Sequence, residues 1–130
     1  MLMHQLHVVA RNRPSALAEM GKILGDAGIN IEGIAAFDLG ARANAEIDLL
    51  VADPSAARRA LNSGGFEIED EYDVVIAQLE NRVGAFANCT RALAEQGVEV
   101  QFMYGVTDNR VVIGTEQAEA VDQIVSRLGS

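Results

Sequence analysis

The chain is short of cysteine, of basic residues and of long apolar runs, and each shortage closes off a class of function. Its single cysteine, Cys89, can form no intrachain disulfide. It falls on the apolar side of a predicted helix and reads as a buried, inert thiol rather than a nucleophile. Ten Lys and Arg stand against 19 Asp and Glu, for a formal charge of −9. Nucleic-acid affinity comes mostly from cationic side chains on phosphate, so no nucleic-acid partner is expected, and an anionic membrane surface is disfavoured likewise. No apolar run approaches the ~18 to 20 residues of a membrane span, and Met1 to Ala10 lacks the basic start and long apolar centre of a signal peptide. A cytoplasmic protein is the expectation. His4 and His7 have no second Cys/His cluster to complete four ligands, so both read as exposed histidines, with no metal and no cofactor implied.

What is present is apolar and repetitive. The apolar fraction of 49% and mean hydropathy of +0.11 fit a substantial core. Asn12 to Ile31, NRPSALAEMGKILGDAGINI, recurs without gaps 69 positions later as Asn81 to Val100, NRVGAFANCTRALAEQGVEV. Asn12, Arg13, Ala16, Ala18, Leu24 and Gly28 return as Asn81, Arg82, Ala85, Ala87, Leu93 and Gly97. A chain of 130 residues therefore reads as two copies of one unit, 1–71 and 72–130. Units of that size bury only about 60% of the surface of their unfolded chains, so each is expected to pack on the other or on a second chain.

Each repeat reads as loop, helix, strand. Pro14 suits a first helical turn, and Ser15 or Asn12 can hold its free amides. Leu17, Met20, Leu24 and Ala27 predict one apolar helix face, answered by Phe86, Cys89 and Leu93. Gly28 and Gly97 stop the helices in the left-handed conformation. Ile29 to Asp38 and Val98 to Val106 then read as strands. Gln5 to Ala10 precedes the first loop as a strand, and Glu46 to Val51 follows with Ile47, Leu49 and Val51 on one side. Asp53 caps a second helix that opens on Pro54. Phe66 to Asp70 is the next strand. The order β-α-β-β-α-β is the ferredoxin-like split unit, of α+β class. The second copy supplies Val74 to Leu79, a helix from Ala85 to Gln96, Arg110 to Gly114 and a helix from Gln117 to Arg127. It lacks its last strand, leaving an edge for the other copy, the N-terminus or another chain to close.

Strand, Asn-Arg-Pro, helix and Ala-Gly-Ile-Asn-Ile in this succession resemble the opening of ACT domains, the small amino-acid-sensing modules of biosynthetic enzymes. The match spans essentially the whole chain, and two units at this length are similar to free-standing tandem ACT proteins. The resemblance implies a ligand site between the loop of one unit and the strand after the first helix of a neighbour. In the first copy that places Asn12, Arg13, Pro14, Ser15, Ala16 and Leu17 with Asn30 and Ile31. In the second it places Asn81, Val83, Gly84, Ala85 and Phe86 with Glu99. Ser15 stands where the family usually has Gly, and Val83 replaces the proline. Ala10 and Leu79 stand where serine-sensing members carry His, so serine is not the implied ligand. Glu99 in place of Asn30 means that the two sites need not share a ligand.

The loop has a physical rationale of its own. A turn feeding a helix N-terminus exposes free N–H groups and the positive end of the dipole, which suit the carboxylate of an amino acid. The same asparagines also suit turn capping. The expected function is thus a non-catalytic regulatory protein that binds a small amino acid between ACT units, as a homodimer, and signals to a regulated enzyme partner. The alternative is a ligand-free oligomerisation module. An acylphosphatase-like hydrolase ranks last, because no GxVQGVxFR phosphate loop and no Ser or Cys placed beside a His is present.

Overall fold

The computed structural model describes residues 1–11, 14–37 and 43–128. Among them the elements run β1 (Leu2–Arg11), α1 (Ala16–Asp26), β2 (Ile31–Phe37), β3 (Asn44–Val51), α2 (Pro54–Ser63), β4 (Glu67–Gln78), α3 (Ala85–Glu95), β5 (Phe102–Val106), β6 (Arg110–Gly114) and α4 (Ala118–Leu128). The α+β class and the repeated order are as expected. The chain divides into two compact units, His4–Tyr72 on one hand and Met1–Met3 with Asp73–Ser130 on the other.

In His4–Tyr72 the strands lie in the order β2-β3-β1-β4. Period-2 alternation puts Leu6, Val8 and Ala10 on one face of β1, directly across from Leu49, Ile47 and Ala45 of β3. Met20 and Leu24 of α1, Ala57 and Leu61 of α2, and Phe66 close over that face. Each large aliphatic side chain buried there contributes roughly 1.5–3 kcal/mol relative to leaving it in water. The α2 start follows its sequence: Asp53 Oδ1 accepts from the Ala56 amide at 3.0 Å, with Pro54 as the first helical residue. α1 and α3 end alike, with Gly28 at φ 73° and Gly97 at φ 70°. Beyond each glycine an amide reaches back, Ile29 to the Leu24 carbonyl at 2.9 Å and Val98 to that of Leu93 at 3.0 Å, which satisfies a last-turn acceptor.

In the second unit β6 lies between β4 and β5. Val75, Ala77 and Ile113 face Cys89 and Leu93 of α3 and Val121 and Val125 of α4. The free side of β4 is taken by the start of the chain. Met1 donates its N–H to the Ile76 carbonyl at 3.0 Å and accepts from the Ile76 amide at 2.8 Å, the mutual exchange of an antiparallel pair. Of the three closures open to this edge, the N-terminus is the one found. The Met1 ammonium also lies 2.7 Å from Asp122 Oδ1 on α4.

Several local expectations are corrected. Pro14 is not in the first helical turn; it precedes Ser15, which occupies the N-cap position of α1 without a side-chain capping bond. The buried helix faces keep Met20, Leu24, Cys89 and Leu93 as expected but open on Ala16 and Ala85 in place of Leu17 and Phe86. Ala16, Met20 and Leu24 are buried in α1, and Ala85, Cys89 and Leu93 in α3, whereas Leu17 is 38% and Phe86 53% exposed. The strands expected at Phe66 to Asp70 and Val74 to Leu79 are one element, β4. Val98 to Val100 is not strand: its backbone is held by side chains, with the Glu99 amide donating to Gln117 Oε1 at 3.2 Å and Thr115 Oγ1 donating to the Glu99 carbonyl at 3.0 Å. His7 is not exposed. Its side chain is 15% accessible and its Nδ1 lies 2.7 Å from Asp48 Oδ1, the residue directly across in β3.

Candidate functional site

The two repeated loops reach their helices differently. Ser15 enters α1 at φ −86°, a conformation open to any residue, whereas Gly84 enters α3 at φ 91°, which favours glycine. Among the described residues, neither the Ser15 nor the Gly84 helix start carries a side-chain cap, in contrast to α2 with Asp53. First-turn amides without an intrahelical acceptor lie at the positive dipole end of each helix. An anion of matching size can satisfy both.

Around α1, Pro14, Ser15 and Leu17 are exposed and Ala16 is buried as part of the helix seat. Asn12 and Arg13 lie outside the described residues. Around α3, Asn81, Val83, Gly84 and Phe86 are exposed, and Ala85 is buried. Val83 is fully solvent-exposed, so loop and helix start present an apolar pair with Phe86. Arg82 is held by Glu80, its Nε donating to Glu80 Oε2. Asn30, Ile31 and Glu99 are exposed at the far ends of α1 and α3. An 11-residue helix stands between each loop and the strand residue of its own unit, about 16 Å at 1.5 Å per residue. Neither unit alone brings its loop to its own Asn30 or Glu99. A site made of both halves needs a second unit.

The second unit does hold a cleft, of about 360 Å³. Its walls are Gln78 to Glu80 and Arg82, the α3 residues Ala85, Asn88, Cys89, Arg91, Ala92 and Glu95, and Leu128 at the end of α4. Sequence reasoning missed the outward half of this lining. The signal was available in part, since Asn88, Ala92 and Glu95 recur at i, i+4 and i+7 on one side of α3. Burial pushes the Cys89 thiol up, which keeps it neutral and makes it part of an apolar floor. Met103 packs into the second core, and Tyr104 stacks on Phe102 with planes at 16°. Among the described residues no group of three or more His, Cys, Asp or Glu is placed to hold a metal ion, and no helix is long and apolar enough to cross a membrane.

The family model of an ACT domain pair matches residues 1–126. The chain belongs to that family. Among solved structures, the ACT domain pair is similar to a protein from Bacteroides thetaiotaomicron at 26% identity and TM-score 0.83, covering 98% of this chain and 88% of that one. It is similar to the ligand-free regulatory subunit of aspartate kinase from Thermus thermophilus at 18% identity and TM-score 0.71, covering 100% and 96%. The corresponding subunit from Thermus flavus matches at 18% identity and TM-score 0.61, covering 100% and 95%. No curated protein matches the sequence. At these identities the Thermus likenesses establish the shared fold. An ACT domain pair is a regulatory architecture.

Proposed function

We propose that this ACT domain pair is a non-catalytic regulatory protein that binds a small amino acid between ACT units and signals its availability to a partner. The observation that carries the reading is the pair of repeated loops, each delivering a helix N-terminus that no side chain caps among the described residues. The carboxylate of an amino acid fits those amides, and Asn12 or Asn81 adds an amide group to it. Asn30 or Glu99 of a neighbouring unit accepts from the α-amino group. The resemblance of the fold to aspartate kinase regulatory subunits supports a regulated enzyme as partner. The protein acts in the cytoplasm as a homodimer, and a ligand that bridges two units shifts their arrangement by its differential affinity for the two states.

Thermal unfolding against each common amino acid tests this. A ligand at about a hundred times its Kd adds roughly 2.7 kcal/mol, a shift of several degrees. Such a shift, lost in Asn12→Ala or Asn81→Ala, supports the reading; a folded protein indifferent to every amino acid refutes it.

The second reading, a ligand-free oligomerisation module, is favoured by β2. This strand ends the sheet order of its unit and exposes Ile34 and Phe37. An open apolar edge pairs readily with another chain. A dimer that persists without ligand and dissociates in Phe37→Lys would favour it.

A further inference from the structure

We propose that the cleft beside α3 is itself a binding site for a compact zwitterion, formed within the second unit and sharing only Ala85 with the loop-and-neighbour site. Its volume of about 360 Å³ is at the small end of the range for small-molecule pockets, about 300–1,000 Å³. The hollow has a cause in the sequence. Ala85, Cys89 and Ala92 follow at i, i+4 and i+7, so small side chains line the bottom between Leu79 and Leu128.

The rim decides the class of ligand. Two arginines and two glutamates line the cleft, so the lining is neutral in a chain of formal charge −9. A polyanion such as a nucleotide finds no net positive field there, and a polycation no negative one. At the loop side Arg82 and Glu80 are already engaged with each other. On the helix, Arg91 spends one donor on Asn88 Oδ1 at 2.8 Å, which leaves most of its five N–H groups for another acceptor. Glu95, one turn further, makes no hydrogen bond or ion pair with any described residue. Arg preceding Glu at i, i+4 is the weaker orientation for a helical pair, and here the two charges stay apart. Their stems are separated by about 6 Å along the axis. A guanidinium held by Asn88 and a carboxylate one turn away, over an apolar floor, match the neighbouring carboxylate and ammonium groups of a small zwitterion. The neutral Cys89 thiol adds no charge that would oppose it.

The choice of amino acids as probes rests on the proposed function; the location of the site does not. Calorimetric titration of the full chain with each common amino acid at millimolar concentration tests the proposal, in wild type and in Arg91→Gln, Glu95→Gln, Ala92→Leu and Asn81→Ala. The first two remove one charge each from exposed positions, Ala92→Leu fills the hollow, and Asn81 lies outside the lining. A cleft phase of binding that weakens about tenfold or more in each of the three cleft variants, while Asn81→Ala removes only the separate loop phase, is expected. Binding that ignores the three cleft variants and is lost in Asn81→Ala overturns the cleft and leaves the loop reading standing. Absence of binding by any amino acid overturns both.

Discussion

Gly114 offers a sharp test of how the second unit is packed. It ends β6 opposite Phe102 of β5 and Val74 of β4. Its φ is outside the left-handed region, so the backbone alone would accept alanine. The obstacle is the Phe102 ring: a Cβ on Gly114 would fall well inside contact distance of Cδ2, Cε2 and Cζ. The ring cannot turn away freely, because it also stacks on Tyr104 with centroids 6.4 Å apart. Overpacking of this kind costs about 1–3 kcal/mol, which is the loss expected for Gly114→Ala. Phe102→Ala removes the obstacle. In that background the same Gly114→Ala change should be neutral or stabilise by about 0.4–1 kcal/mol, since alanine has less freedom to lose than glycine. The coupling in the double-mutant cycle is then about 1–4 kcal/mol, well above the few tenths expected of independent sites. Urea unfolding of the four proteins, with amide exchange at β5 and β6 as the local readout, measures it. An equal cost of Gly114→Ala in both backgrounds would refute the reasoning.

Three further outcomes are expected. Burial is the largest influence on His7 and lowers its pKa, but the hydrogen bond and charge of Asp48, with Glu46 and Glu69, together carry it above 6.5. Tyr72 faces the same ring at 6.2 Å. A raised folded-state pKa means that His7 stabilises fully below its unfolded pKa and progressively less as pH rises through the folded value. The stability advantage of wild type over His7→Gln should therefore grow between pH 8 and pH 6; a flat or reversed trend in urea midpoints would exclude this. Asp53→Ala deletes the cap of α2 and should cost about 1 kcal/mol, whereas Asp53→Asn should retain most of it, by the same unfolding assay. Asp108 and Asn109, at φ 62° and 58°, form the tight turn between β5 and β6. Replacing them with Asn-Gly should raise the urea midpoint at unchanged slope, by roughly 0.5–1 kcal/mol.

Much of this fold was legible before any coordinates, for reasons that can be named. Asp53-Pro54 and the two helix-ending glycines act through backbone geometry within a few residues, and the alternation of Leu6, Val8 and Ala10 needs only a strand. What escaped depends on residues far away in the chain. Leu17 and Phe86 extend an apolar pattern in the sequence, but the helices are seated through the alanines beside them, so the larger side chains face water. Val98 to Val100 has strand composition, yet Thr115 and Gln117 occupy its backbone groups before the ladder begins. The loops were legible as a repeat; their different entries, Ser15 in one and Gly84 in the other, show that the copies are no longer equivalent. The cleft was not legible, because the end of α4 forms one of its sides and only the fold brings Leu128 there.

The pairing of Met1 with Ile76 has a consequence for biosynthesis. Two residues 75 positions apart must meet before this edge of the second unit is closed. Closing so long a loop carries roughly 2–3 kcal/mol more entropy loss than closing a hairpin of about five residues. Translation proceeds at about 5–20 residues per second, so the first residues leave the ribosome many seconds before Asp122 does. His4–Tyr72 can therefore mature on the nascent chain before the rest of the second unit has emerged. Because β1 and β4 are already neighbours in His4–Tyr72, the long loop is closed once, when that unit folds, and Met1 reaches Ile76 by extending the same pair of strands.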